Sequence, residues 1–99
     1  MSMKAVLICS GGLSASIMMK KLKIEAKEQG IQLQISAMGL QEVEKAAGCD
    51  VLLLSPQCAY AKANITKQID SQTTIVIVHN YDYASLNAKK VLADILDVM

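Results

Sequence analysis

Apolar positions in this chain recur with two periods, and the two alternate along its length. Residues 3–8 (MKAVLI) form a near-continuous apolar run, the mark of a strand buried on both faces. From about Ser14 to Gln29, Ala15, Met18, Met19, Leu22 and Ala26 recur at helical spacing, while Lys20, Lys23 and Lys27 form a wet stripe. Gly30 follows where a helix of this length needs a left-handed stop. Residues 31–38 (IQLQISAM) alternate, which predicts a strand with one exposed face near a sheet edge. A short helix, LQEVEKAA, is expected between Gly39 and Gly48. DVLLLS (50–55) reads as a second buried strand, stopped by Pro56, the single proline. A helix from about Ala59 to Ile69, an apolar strand at 73–79 (TTIVIVH) and a last helix complete the pattern. Asp82 or Ser85 is expected to cap that last helix, with Leu86, Val91, Leu92, Ile95 and Leu96 as its buried stripe.

The order is βαβαβαβα. Strands alternating with helices need right-handed crossovers, so the fold class is α/β: a single open four-stranded parallel sheet with helices on both faces. No linker, repeat or low-complexity stretch divides residues 1–99, which read as one domain, with Met1-Ser2 ahead of Met3 as a candidate expression scar. In such sheets sites form beyond the carboxyl ends of the strands, at the switch point. The loops at 9–14, 38–40 and 55–59 qualify.

Composition narrows the function classes. A hydrophobic fraction of 53% with 19% charged residues fits a core-forming domain. Phe and Trp are absent, and all ten basic residues are lysines. With a net charge of +1 and no arginine, the chain lacks the means to grip and stack nucleic acid, which is set aside as a partner. No apolar run approaches the ~20 residues needed to span a bilayer, and Ala5–Ile8 is too short for a secretion signal. Three cysteines, at 9, 49 and 58, form no Cys-x-x-Cys pair, and the single histidine is not spaced to share a metal. Reduced thiols and a cytoplasmic location are expected, with no cofactor or metal implied.

The chemistry concentrates in VLICSGGLSAS (6–16), where Cys9 ends the first strand and small, hydroxyl-rich residues lead into the first helix. Glycines allow successive N–H groups to aim at one point, and the helix start adds unpaired N–H groups and a positive dipole end. Such a loop binds a phosphate-sized anion, and the same field favours the ionised thiol. Thiolate and phosphate cradle in one place predict attack of Cys9 on phosphorus, with the phosphoryl oxygens on the N–H groups of Ser10, Gly11, Gly12, Leu13, Ser14, Ala15 and Ser16. Cysteine-based phosphatases close a comparable cradle with an arginine that grips the oxygens bidentately. Ala15 and Ser16 stand at the end of this loop, and the chain has no arginine to offer. A site that takes up phosphate without handing it to water is a relay.

Other chemistry-bearing residues have plainer explanations. Cys58 and Cys49 read as small buried hydrophobes, His79 as structural or exposed, and Asp50 and Asp82 as capping groups. The lysine stripe reads as a solvated face that could also steer a phosphorylated partner, and Met18-Met19 as core filling. In SPQCAY (55–60), Gln57 offers donors and an acceptor beside the second loop, and Tyr60 lies one turn on, in a docking or loop-supporting role or in an ordinary connection.

ICSGGLSAS and VLLLSPQCAY together resemble the phosphorylation loop and the strand-plus-Pro-Gln-x-x-Tyr segment of the enzyme IIB component of the lactose/cellobiose-type sugar phosphotransferase system. Length and element order extend the resemblance over essentially the whole chain. It implies a transient phosphocysteine on Cys9, charged by a phosphohistidine of a IIA partner and discharged to a sugar held by a membrane IIC partner. Residues 10–16 would be the cradle, with Gln57 and Tyr60 in partner or loop support. The isolated domain would be a monomer, without membrane insertion. Gly12 and Cys58 are departures from the family pattern. Two other readings remain: a small thiolate-loop phosphatase or arsenate reductase-like enzyme, and a non-catalytic doubly wound binding module.

Overall fold

A computed structural model describes residues 2–9, 13–69 and 72–98. Ser10, Gly11 and Gly12 of the expected cradle lie outside the described residues. The elements run β1 (Ser2–Cys9), α1 (Leu13–Glu28), β2 (Gln32–Gly39), a 3-10 helix (Leu40–Ala46), β3 (Val51–Leu54), a second 3-10 helix (Pro56–Ala61), α2 (Lys62–Gln68), β4 (Thr74–Ile77), α3 (Asn80–Ala84) and α4 (Ala88–Val98). The four strands form one parallel sheet in the order β2-β1-β3-β4, the doubly wound fold that the alternating pattern predicts.

Strand alternation divides the interior into two layers. Met3, Ala5, Leu7 and Cys9 face one side with Val51 and Leu53, covered by Ala15, Met18, Leu22 and Ala26 of α1 and by Val91, Leu92 and Ile95 of α4. Val6 and Ile8 face the other with Leu52 and Leu54, covered by Val43 and Ala46 of the first 3-10 helix and by Cys58, Ala61 and Ile65. Leu7, Leu52, Leu53, Leu54, Leu92 and Ile95 are fully buried. Each such side chain contributes roughly 1.5–3 kcal/mol of hydrophobic stabilisation.

Gly30 and Gly48 close their elements at φ of 74° and 88°, the left-handed conformation expected at Gly30. Three expectations change. The helix expected after Gly39 is a 3-10 helix, its start fixed by Gly39 N–H donating to the Glu42 carboxylate at 3.3 Å. The helix expected from Ala59 begins three residues earlier as the Pro56–Ala61 3-10 turn, because Pro56 sits at a helix start where its missing N–H costs nothing. The last helix is two. Neither Asp82 nor Ser85 caps α4: Asp82 lies buried within α3, and Asn87 Oδ1 accepts from the Lys90 N–H at 3.2 Å as the α4 cap. Leu86, at φ 55°, makes the corner between the two helices.

Candidate functional site

The switch point of the 2-1-3-4 order lies between the carboxyl ends of β1 and β3. Cys9 is the last residue of β1, and α1 begins four residues later at Leu13. The first turn of α1 holds no acidic side chain, so its positive end is not neutralised from within, while Lys27 complements the far end. Of the cradle residues within the described part, Leu13, Ser14, Ala15 and Ser16 form that first turn, with Ala15 buried and Ser16 exposed. Cys9 itself is 6% exposed, at the top of the layer that α1 and α4 cover.

A row of residues crosses the sheet at this level. Cys9 is paired with Gly39 of β2. On the other side the β1–β3 register ends at Ile8 opposite Leu54, and the ladder continues one step as the Ser55 N–H donates to the Ile8 carbonyl at 3.0 Å. Ser55 is therefore the lateral neighbour of Cys9. The Val78 N–H likewise donates to the Leu54 carbonyl at 2.9 Å, extending the row towards β4. Gly39 has no side chain, and the Gln41 amide fills that space: a Cβ there would meet Gln41 Oε1 at 2.8 Å. Ser55 is fully buried, and its Oγ has no hydrogen-bond partner among the described residues.

Tyr83 of α3 packs in the same layer as Cys9. Burial pushes its phenol up from the ordinary value, and the negative charge of an ionised Cys9, then that of Cys58, pushes the same way. Neither Ser55, Gln41 nor Tyr83 stood out as a site residue in the sequence. Carrying the strand alternation one residue past Leu54 would have flagged Ser55; Gln41 comes beside Gly39, and Tyr83 into the layer of Cys9, only through the tertiary fold.

The second segment lands beside the same rim. Gln57 and Tyr60 belong to the Pro56–Ala61 turn; both are exposed, Tyr60 at 80%. Cys58 packs inward on the opposite face, and Cys49 is buried ahead of β3, as small hydrophobes do. Burial pushes the Cys49 thiol up. His79 is exposed at the start of α3. Among the described residues no group of His, Cys, Asp and Glu could hold a metal ion, and no helix is long and apolar enough to cross a membrane. A groove of about 330 Å³ lined by Lys4, Val6, Met38, Lys45 and Cys49 does not include Cys9.

Residues 4–94 match the family described as "PTS system, Lactose/Cellobiose specific IIB subunit". A galactose-specific EIIB component from Lactococcus lactis is 31% identical over 88% of this chain and 87% of its own length. An oligo-beta-mannoside-specific EIIB component from Bacillus subtilis is 29% identical over 97% and 95%. Among solved structures, a cellobiose-specific IIB component from Borrelia burgdorferi superposes with a TM-score of 0.73 at 29% identity, covering 93% of this chain and 86% of that one. The lactose-specific IIB domain from Streptococcus pneumoniae shares the fold with a TM-score of 0.81 at 14% identity, over 98% and 97%.

Proposed function

Because the chain belongs to the lactose/cellobiose-specific IIB family of the sugar phosphotransferase system, we propose that Cys9 is the residue that carries the phosphoryl group. The thiolate attacks the phosphorus of a phosphohistidine on a IIA partner. The S–P bond forms as the N–P bond breaks, and the departing electron pair stays on the imidazole nitrogen. In the second step a sugar hydroxyl on a membrane IIC partner attacks the same phosphorus. The O–P bond forms, the S–P pair returns to sulfur, and the hydroxyl proton passes to a base of the acceptor partner. Thiolate serves because it is both a good nucleophile and a good leaving group. Main-chain N–H groups around residues 10–16 would neutralise the equatorial oxygens, which is most of what phosphoryl transfer asks of a protein.

The observation that carries this reading is the position of Cys9: a strand-end thiol at the switch point, directly before a helix whose first turn lacks acidic residues. Its surroundings suit two successive partners. Ile17, Tyr60 and Tyr81 are exposed on α1, the Pro56–Ala61 turn and α3, elements that start at the carboxyl ends of the strands. Lys20, Lys23 and Lys27 are exposed and leave a positive stripe along α1 to steer a phosphorylated donor. The relay operates on the cytoplasmic side, where the thiol stays reduced. Sugar choice belongs to the membrane partner, since this domain never encloses the sugar alone.

Intact mass after incubation with a phosphohistidine donor system tests the assignment. One added phosphate is expected, mapping to Cys9 and lost in Cys9→Ser. Phosphate on His79 or on a serine would overturn it. Without an arginine anywhere in the chain, the isolated domain should leave aryl phosphates intact. Steady hydrolysis abolished by Cys9→Ser would favour the phosphatase reading instead.

A further inference from the structure

Ser55 brings a hydroxyl to a place where an alanine or glycine would fill the space without burying a polar atom. It is 0% exposed, and Oγ has no partner among the described residues. Buried hydroxyls are normally paired, so an orphan invites a search for the group it serves. The answer lies one strand away. Ser55 continues the β3 ladder against β1, which makes it the residue opposite Cys9. Its backbone is extended, with φ −62° and ψ 156°, so side-chain alternation continues past β3. Val51 and Leu53 face the layer of Cys9 while Leu52 and Leu54 face the other, and Ser55 falls with the first set. Neighbouring strands are about 4.8 Å apart, a separation that a hydroxyl–sulfur hydrogen bond spans once both side chains turn inward.

We infer that Ser55 Oγ–H is the side-chain donor to the Cys9 sulfur in its thiolate form, which makes Ser55 a positioning residue of the relay. The inference rests on the phosphocysteine reading of Cys9 and deepens it. A thiolate appears twice per cycle, before the group arrives and after it leaves, on a side chain only 6% exposed. A charge so shielded from water needs donors, and hydrogen bonds to ionised groups are the strong ones. The next residue along is Pro56, which has no N–H to give. The serine hydroxyl supplies what the backbone there cannot. Among the described residues Oγ has no other partner, so the hydroxyl is free to turn to the sulfur when it becomes charged.

Ser55→Ala and Ser55→Gly test this together. Ser55→Ala removes an unpaired hydroxyl, so it should unfold in urea no earlier than the parent, whereas Ser55→Gly also adds chain entropy to the unfolded state and should unfold earlier. Iodoacetamide labelling, read cysteine by cysteine in peptide masses across pH, should show the Cys9 profile displaced to higher pH by about one unit in both variants. Below the midpoint of that profile, Cys9 labelling should be slower in both variants than in the parent. Return of phosphate from phospho-Cys9 to the unphosphorylated histidine donor should slow in parallel, because sulfur is the leaving group. An unmoved labelling profile with unchanged return overturns the inference. So does a lowered urea midpoint in Ser55→Ala with an unmoved profile, which would mean that the hydroxyl serves the fold instead. Failure of the parent to take phosphate on Cys9 would remove the relay reading separately, because labelling reports the hydrogen bond without any donor.

Discussion

Lys4 and Asp50 grip each other twice at the amino-terminal end of the sheet: the Lys4 N–H donates to the Asp50 carboxylate at 2.9 Å, and the Asp50 N–H donates to the Lys4 carbonyl at 2.8 Å. Asp50 also accepts the Thr74 N–H on its own carbonyl at 3.0 Å, so one residue joins β1, β3 and β4. A register fixed here is carried five residues along the ladder to Cys9 and Ser55. A slip of one residue would put Cys9 opposite Leu54 or Pro56 and turn Ser55 to the other face.

Asp50→Ala leaves the Lys4 N–H without its carboxylate. The position is exposed, so water replaces part of the bond, and the expected loss is about 1 kcal/mol. Asp50→Asn, which keeps an acceptor oxygen, should lose less than half of that. Urea midpoints of the two variants against the parent decide it. Equal midpoints would mean that the backbone ladder holds the register alone.

Asn87 supplies a second stability test. It caps α4, the helix whose Val91, Leu92 and Ile95 close the layer around Cys9. Asn87→Ala should cost about 1 kcal/mol, and Asn87→Asp should retain or slightly improve stability by placing a negative charge at the helix start. Thermal unfolding of both variants reads the difference.

Gly30 isolates the conformational cost of a turn. A Cβ added there would meet nothing within 4 Å, yet the backbone sits at φ 74°. Gly30→Ala should therefore destabilise by about 1 kcal/mol through backbone strain alone. Gly30→Asn, a residue that tolerates this conformation, should cost less. A neutral Gly30→Ala in urea unfolding would show that the α1–β2 turn relaxes without penalty.

Much of this arrangement was legible in the residues, and the rest fails for identifiable reasons. The runs around Leu7 and Leu53 are apolar at every step because both faces are covered, and this alone yields a parallel sheet with central strands. Gln32, Gln34 and Ser36 interrupt β2 because it is an edge. β4 misleads: TIVI reads like a central strand, yet it is the other edge, and Ile77 is 39% exposed. Local periodicity cannot say how many neighbours a strand acquires. Caps were harder, because Asp82, Ser85 and Asn87 are all good capping residues within six positions, and Leu86 turns the chain in a conformation leucine seldom adopts. At the site, Cys9 and its loop announce themselves by chemistry. Ser55 does not, because a serine before a proline reads as an ordinary stop until the β1–β3 ladder shows what stands beside it.

Alkaline pH should weaken the fold through two buried acids. Burial raises the Cys49 thiol from its ordinary value of 9.0, and burial followed by the charge of Cys9 raises the Tyr83 phenol from 10.0. For each, the unfolded chain loses its proton first, so the native state holds more protons over the interval between the two values. Stability is then fully present below the unfolded value and falls as pH rises towards the folded one, by at most about 1.4 kcal/mol per pH unit for each proton. Cys49 acts from about pH 9 and Tyr83 about one unit later. Urea midpoints at pH 7, 9, 10 and 11 should decline in the parent. They should decline less steeply in Cys49→Ala, whose cavity lowers stability equally at every pH, and in Tyr83→Phe above pH 10. Parallel curves for parent and both variants would mean that neither Cys49 nor Tyr83 carries the alkaline loss.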